Sequence, residues 1–388
     1  MQTCDCLIVG GGPAGSSCAR ALVQAGLDVV VLDKAVFPRD KVCAGWITPA
    51  VVEELDLDLE DYRRERTLQP ITGFRTGLIG GRPVCTAYGQ RVSYGIRRCE
   101  FDHYLLEQSG ARLRLGEALD SLRREQDQWI VNDALRAPIV VGAGGHFCPV
   151  ARMLSATDAP DEGGVVLAQE IEFEMSPEEQ AACRVEPEVP ELYFCGDLMG
   201  YAWCFRKGNF LNIGLGREGE TRLSAHVAGF CQWLQDEGRI PSGTRARFHG
   251  HAYRLYRGQP RRATADGALL IGDSAGLAYP QSGEGIRPAI ESGLMAARVI
   301  ADAAGDYGRA RLANLDRRLG ERFGKLRSKP ATRSLLPTAW RLAVARRLLA
   351  TRWFTRHVVI NRWFLHVHQA ALAPISREFA LTKKAVAR

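Results

Sequence analysis

Long apolar runs are missing from this 388-residue chain, and a bilayer-spanning helix, which needs about 20 consecutive apolar residues, is excluded on that ground. No basic, apolar leader precedes the first strand-like run either; Met1-Gln2-Thr3 leads straight into it, and no secretory export is expected. C-x-x-C spacing never occurs among the eleven cysteines. An odd, scattered set argues against a disulfide framework or a zinc site, and for thiols kept reduced in a cytoplasm. The eight histidines form no ligand pattern, so no metal is expected. His249 and His251 flank one residue of a strand-like run and read as surface or core residues. Internal repeats and low-complexity segments are lacking. With 46% hydrophobic and 24% charged residues, what remains is a globular chain, long enough for two domains or for one large core with an appendage.

Acidic residues are scarce in one place. Residues 325–388 carry four Lys and ten Arg against the single acid Glu378, a net charge of +13. The whole chain is +7, so residues 1–324 are net −6. An acidic body therefore ends in a strongly basic tail.

Two glycine-rich stretches carry chemistry. Cys4 to Val9 is a short apolar run suited to a buried parallel strand, and it enters Gly10-Gly11-Gly12-Pro13-Ala14-Gly15. Gly10 permits the tight turn, Gly12 lets the backbone approach a phosphate, and Gly15 lets the following helix pack on the strand. That helix, Pro13 to Ala25, presents free N–H groups and its positive dipole end to an anion. Gly26 stops it. Leu27 to Leu32 reads as a second strand ending at Asp33, with Lys34 beside it. The Asp33 carboxylate suits the ribose hydroxyls of an adenosine without a 2′-phosphate. The second stretch, Leu270 to Gly276, comes two-thirds of the way along. Asp273 there can accept a polyol hydroxyl while Gly272 lets the cofactor lie close; a simple turn or N-cap aspartate is the alternative. Together the two stretches describe one flavin dinucleotide lying across the fold, with the residues between them as lid and chamber.

Between these anchors, Pro49 to Leu59 and Arg98 to Gln108 read as helices, and residues 70–95 as short strands. Arg112 to Arg136 reads as strand and hairpin, and Val140-Val141-Gly142 as a buried strand returning to the dinucleotide sheet. From Gly164 strands dominate: Val165 to Met175, Leu192 to Phe194, Tyr201 to Phe205, Phe210 to Leu215 and Arg245 to Tyr253. One helix, Ser224 to Glu237, interrupts them. An antiparallel sheet with little covering is expected there. A long helix, Arg287 to Ala303, closes the body. The fold class is α/β (α+β overall). A dinucleotide-binding domain over 1–163 shares strands of 70–95 with an inserted antiparallel substrate domain at 164–258. The first domain resumes over 259–324, before a helical tail at 325–388.

Four separated motifs resemble the geranylgeranyl-reductase-like FAD oxidoreductases, which share the fold of p-hydroxybenzoate hydroxylase; the resemblance covers roughly residues 1–325. Besides the N-terminal glycines, Lys41-Val42-Cys43-Ala44-Gly45 is similar to that family's Lys-x-Cys-Gly-Gly loop, with Ala44 replacing one glycine. Arg98-x-Glu100-Phe101-Asp102 resembles its Arg-x-x-Phe-Asp helix start. Gly272-Asp273 through Gly283-Glu284-Gly285-Ile286 resembles its second flavin motif. Tyr201-Ala202-Trp203-Cys204-Phe205-Arg206-Lys207, followed by Gly214-Leu215-Gly216, resembles its Tyr-x-Trp-x-Phe-Pro-Lys…Gly-x-Gly signature, with Arg206 replacing proline. Hydroxylases of the superfamily carry Asp-Gly where this chain has Gly144-Gly145, and their support for NAD(P)H is thereby weakened here.

The resemblance implies an FAD-dependent reductase that saturates carbon–carbon double bonds of an isoprenoid chain by hydride transfer from flavin N5. It leaves the electron donor open between NAD(P)H, ferredoxin or another. A monooxygenase or halogenase on the same fold is the first alternative, although the Trp-x-Trp-x-Ile-Pro segment of halogenases is not found. A flavoprotein that only passes electrons or binds prenyl lipid is the second.

For the site, the resemblance sets Arg39, Lys41, Cys43, Ala44, Gly45 and Arg98 against the cofactor, with surface ion pairs as the alternative for the two arginines. The helix start at Glu284 to Arg287 would face the pyrimidine end of the flavin, where reduction places negative charge; Gly283 and Gly285 merely shaping a turn is the alternative. Cys43 could donate a proton or gate the substrate, or be an inert buried thiol. Tyr201 and Trp203 are read on one strand face, with Phe205 turned away from it, sandwiching an apolar chain or filling an ordinary sheet core. Tyr201 is also a candidate proton donor. Lys207 is read equally as a solvated strand-end lysine.

The tail interleaves Trp340, Leu342, Trp353, Phe354, Trp363 and Phe364 with Arg341, Arg346, Arg347, Arg352, Arg356 and Arg362. Amphipathic helices of that composition lie in the interface of an anionic bilayer. A helical cap on the core with outward arginines is the alternative. Nucleic acid is not expected as a partner, because the body is acidic and no binding motif is present. The expected location is the cytoplasm, peripherally on the inner face of the cell membrane.

Overall fold

The computed structural model describes residues 1–154, 164–219, 222–243, 247–257, 263–324 and 338–380. The expected strand start at Arg245 and tail positions 325–337 and 381–388 lie outside the described residues.

The apolar run Cys6–Val9 is an inner strand of a six-stranded sheet. The strand order is Thr264–Ala265, Ala268–Leu270, Val140–Gly142, Cys6–Val9, Val29–Asp33 and Arg112–Leu115. All pairs are parallel except the first, so the buried strands carry continuous Val, Ile and Leu. Helices Pro13–Gln24 and Ile286–Ala303 pack against each other closely. A Cβ on Gly293 would stand 2.5 Å from the carbonyl oxygen of Ala14, so only glycine lets these helices approach so near. This contact brings the two glycine-rich stretches, more than 250 residues apart in sequence, to one end of the sheet.

A seven-stranded sheet faces that end. Its order is His249–Arg254, Val165–Glu174, Phe210–Glu218, Gly200–Lys207, Glu191–Phe194, Gly73–Leu78 and Val84–Ala87, antiparallel except where 191–194 runs parallel to 73–78. Strand periodicity sorts its side chains. Tyr193, Ala202 and Cys204 meet Val227, Phe230 and Leu234 of helix Leu223–Asp236, burying one face. Leu192, Phe194, Trp203 and Phe205 point to the other, where Leu349, Val359, Ile360 and Phe364 of the tail pack on them. Both faces are covered, which corrects the expectation of an open sheet; the covering comes partly from residues whose place no local pattern reveals.

The tail folds as helix Thr338–Leu349, a short turn Arg352–Phe354, a π-helical segment Thr355–Phe364 and helix Ile375–Ala380. Ile375 and Phe379 join the core around the six-stranded sheet. Fully buried Arg287 donates to the carbonyls of Gln369 and Ala370 at 3.0 Å each, and pairs with Glu291 at 2.8 Å and Glu54 at 3.4 Å. Residues 355–380 therefore form a cap. Helix Thr338–Leu349 differs: Trp340, Val344 and Leu348, four residues apart, stand exposed, as does Trp353. Among the described residues no helix is long and apolar enough to cross a membrane.

Candidate active site

Between the two sheets lies a cavity of about 520 Å³. Gly10, Gly12, Pro13, Ala14, Asp33, Lys34 and Arg39 line it from the side of the six-stranded sheet, with Lys41, Cys43, Ala44, Gly45 and Arg98. Asp273, Gly283, Glu284, Gly285 and Ile286 enter from the second glycine-rich region, and Tyr201 and Trp203 from the seven-stranded sheet. Two expected residues stand one layer back. Gly15 has no room for a Cβ, which would lie 1.9 Å from the carbonyl oxygen of Gly10, and Gly272 donates its N–H to Ser292 Oγ at 2.9 Å. Both shape the wall without forming it.

One end of the cavity is polar. Gly10 turns the chain at φ +116°, and a Cβ there would meet the Ala143 carbonyl at 2.4 Å. Gly12 has only Arg39 nearby, at 3.4 Å, so backbone N–H groups at the helix start face open space. Asp33 accepts from the N–H groups of Gly11 and Ala35 at 2.7 and 2.9 Å. Arg98 grips fully buried Asp102 with two 2.8 Å hydrogen bonds. Burial opposes its charge, but Asp102 and Cys43 together outweigh burial and hold the guanidinium above its ordinary range. Arg39 Nη1 stands 3.3 Å from the same carboxylate, an ion pair without hydrogen-bond geometry. Neither arginine is a solvated surface residue.

At mid-cavity Lys41 Nζ lies 2.9 Å from His251 Nε2, whose ring lies 3.7 Å from Asp273. Burial pushes Lys41 down to about 8 against the pull of Asp273. Burial also acts to raise Asp273, yet His251 and Lys41 outweigh it and hold the carboxyl below its usual range. His251 is therefore neither a surface nor a plain core residue, as its sequence context suggests; its strand brings it into the cavity wall.

The other end is aromatic. Trp46 stacks on Phe364 at 5.6 Å and 11°, and Tyr201 meets Phe364 edge-on at 5.3 Å. Phe205 also lines the cavity, 6.0 Å from Trp46. This corrects the expectation that it turns away from Tyr201 and Trp203: residues two apart on a strand share a face, and all three do. Tyr201 donates to the Ser282 carbonyl at 2.5 Å, and burial holds its hydroxyl far above the ordinary range. Trp203 donates to Asn212 Oδ1 at 2.7 Å, and Asn212 in turn donates to the Cys43 carbonyl at 3.2 Å. The Cys43–Gly45 loop is thereby fastened beneath the aromatic roof. Lys207 is no solvated strand end: it is 1% exposed and donates to Glu172 at 2.7 Å. Nearby Glu170, also buried, is pushed up to about 8 by burial.

Sequence reading missed His251, Tyr253, Trp46 and Phe364. The alternation of His251 with Tyr253 along a strand is a usable signal for the first two; nothing local marks the last two.

A dinucleotide fold whose helix start, buried arginines and second glycine-rich loop open on one cavity defines a flavin-binding oxidoreductase. The residues fit the cofactor: open backbone N–H groups beside the guanidinium of Arg39 suit a pyrophosphate, and Asp273 suits a polyol. Comparison with known proteins agrees. Residues 5–82 match the family described as FAD dependent oxidoreductase. The menaquinone reductase of Mycobacterium tuberculosis is 29% identical, over 77% of each chain. The digeranylgeranylglycerophospholipid reductase of Methanothrix thermoacetophila is 29% identical, over 83% of this chain and 84% of its own. A geranylgeranyl bacteriochlorophyll reductase-like protein of Thermoplasma acidophilum has the same fold, with a TM-score of 0.72 and 22% identity, over 100% of this chain and 96% of its own. The chain is an FAD-dependent oxidoreductase of the p-hydroxybenzoate hydroxylase-type fold, and its likeness is to the geranylgeranyl reductases.

Proposed function

We propose that this enzyme saturates carbon–carbon double bonds in an isoprenoid chain held at the aromatic end of the cavity. The observation that carries this reading is the continuity of that end with the flavin end. Trp46, Tyr201, Trp203, Phe205 and Phe364 wall one side of a space whose other side is glycine, arginine and Asp273. An extended apolar chain fits such a wall by burial, at roughly 25 cal/mol per Å² of apolar surface, and needs few polar contacts. The names of the two curated relatives support a reductase, and one of them names a geranylgeranyl lipid.

Bound and reduced, the flavin supplies a hydride from N5. This chain's residues do the rest. Gly10, Gly12 and the helix start beyond them hold the pyrophosphate with Arg39 and Arg98, Asp33 holds the ribose, and Asp273 with Lys41 holds the polyol. The start of helix Ile286–Ala303 favours negative charge on the reduced cofactor. The aromatic walls align the alkene and exclude water. The same reading assigns the six-stranded sheet and its helices to cofactor binding and the seven-stranded sheet to substrate binding. The exposed Trp340, Val344, Leu348 and Trp353, set among arginines, are the surface that meets an anionic membrane, where a prenyl lipid resides.

The test is anaerobic. Dithionite-reduced holoenzyme is mixed with geranylgeranyl lipids, and the products are weighed by mass spectrometry. Gains of two hydrogens per flavin oxidised are expected; unchanged lipid masses across several prenyl classes would refute the reading. A flavin hydroperoxide absorbance on mixing with oxygen would point to a monooxygenase instead.

A further inference from the structure

We infer that Glu284 is the acid that delivers a proton into the chamber, and that His366 of the C-terminal cap is the group through which it is reloaded. The inference rests on the reductase reading above.

Saturating one double bond requires a proton as well as a hydride. Lys41 and His251 in the cavity wall are paired with each other beside Asp273; Tyr201, Tyr253, Cys43 and Glu284 also line it and can carry a proton. The Tyr201 hydroxyl is committed to the Ser282 carbonyl. Cys43 Sγ accepts the N–H of Gly45 at 3.4 Å, and the protonated group beside it is the Arg98 guanidinium, which does not give up its proton. Glu284 differs from both. It lines the cavity just before helix Ile286–Ala303, and its Oε1 accepts the N–H of Arg287 at 3.4 Å. Its Oε2 is buried, without a hydrogen bond, and 3.7 Å from His366 Nε2, which is equally buried and equally without one.

Two facing polar atoms left unsatisfied would each cost about 1–3 kcal/mol. A proton passed between them, once the 3.7 Å gap closes to hydrogen-bond distance, relieves both at once. His366 is held firmly in this position. Its ring stacks 3.8 Å from that of Tyr279, whose hydroxyl donates to Gln369 at 2.6 Å, and its backbone takes the left-handed conformation at φ +48°. Behind it, 6.0 Å away between ring centres, stands His368, which is exposed. A route from solvent to chamber thus runs His368, His366, Glu284.

The charges around Glu284 come from several elements. Arg287 and Glu291 lie on the helix that follows it, Tyr279 on the preceding loop, Tyr201 on the facing sheet and His366 on the cap. Burial dominates over Arg287 and pushes Glu284 up to about 8, so a neutral acid waits in the chamber at pH 7. Burial and Arg287 push His366 down to about 3, which keeps the ring neutral, so it relays by passing a proton from Nε2 while Nδ1 takes one from the solvent side. In the reaction the alkene π bond breaks and one carbon takes the hydride of the reduced flavin. The Glu284 O–H bond breaks and its proton forms the C–H bond at the other carbon. The carboxylate then takes the Nε2 proton of His366, whose Nδ1 gains one from water on the side of His368, and the ring returns to its first tautomer. A two-electron donor restores the flavin.

The experiment has two readouts on the FAD-loaded protein. Infrared difference spectra between pH 6 and pH 10 report a protonated carboxyl by its C=O stretch. A band that titrates near pH 8, vanishes in Glu284→Gln and shifts its midpoint in His366→Gln is expected. Rapid mixing of reduced protein with a geranylgeranyl lipid should give a rate that falls above pH 8 in the natural protein. In Glu284→Gln the rate should be lower by about a hundredfold and flat with pH. Retained FAD and an unshifted melting temperature show that each variant is folded. A carboxyl band unaltered in Glu284→Gln overturns the inference. So does a Glu284→Gln enzyme as fast as the natural one at every pH, and then the reductase reading survives. A natural protein that saturates no prenyl chain overturns both.

Discussion

At its polar end the cavity is made of backbone and charge: Gly10, Gly12, Asp33, Arg39, Arg98 and Asp273. At its aromatic end it is made of rings carried by separate segments: Trp46 from a two-residue strand, Tyr201, Trp203 and Phe205 from the seven-stranded sheet, and Phe364 from the cap. Phosphate recognition needs bare N–H groups at a fixed geometry, which short contiguous motifs provide. Recognition of an apolar chain needs only surface, which any neighbouring segment can supply. The first requirement ties residues to a spacing; the second ties them only to a place.

If that contrast is real, damage at the two ends should have separable consequences. The largest effect is expected from Phe364→Ala, which removes a ring packed on both Trp46 and Tyr201. It should cost about 3 kcal/mol of stability and raise KM for a prenyl lipid while FAD is kept, as read by denaturant unfolding and bound-flavin absorbance. Loss of FAD with KM unchanged would break the contrast. Asp273→Ala is the opposite probe. It should weaken FAD about tenfold to a hundredfold in equilibrium titrations and leave prenyl binding to the apoprotein unaltered; full FAD retention on desalting would remove Asp273 from the cofactor site.

A third probe uses pH. Glu170 has its carboxyl raised from an ordinary 4.5 to about 8 by burial. A folded value above the unfolded one means that its contribution to stability is complete below about 4.5 and is lost as pH rises toward 8. The melting temperature should therefore fall across that window, and fall less steeply in Glu170→Gln. Identical slopes would show that Glu170 is not held neutral beneath the Cys43–Gly45 loop. The smallest effect concerns the exposed face of the tail. Trp340→Ala with Trp353→Ala should weaken binding to anionic vesicles by about tenfold in sedimentation assays, with FAD content unchanged; undiminished binding would place membrane contact elsewhere or nowhere.

The same contrast explains what can be read from the sequence. The helix after Gly12, the acid ending the second strand and the Asp273 turn are local patterns. Each sits where its pattern puts it, in one cavity wall. The strand through Tyr201 and Trp203 is also legible, and period-2 alternation, correctly applied, adds Phe205 to the face they share. Phe364 is not legible as a wall residue. Its position depends on Arg287 binding the carbonyls of Gln369 and Ala370 and on the cap packing against Leu192 and Phe194, none of which leaves a trace in local spacing. The basic tail illustrates the limit of composition. Arginine and tryptophan content fits a membrane helix and a core cap alike, and this tail divides between an exposed stripe at 340–348 and a packed cap at 355–380.

The central claim, that flavin and prenyl chain occupy opposite ends of one cavity, is tested most directly by photo-crosslinking. A geranylgeranyl lipid carrying a diazirine on its chain is irradiated with the FAD-loaded protein, and the labelled peptides are mapped by mass spectrometry. Labels on the segments holding Tyr201 to Phe205 and Trp363 to Leu365 are predicted. Labels confined to Asp33 to Lys41, or to the outer face of the helix at Trp340, would contradict it.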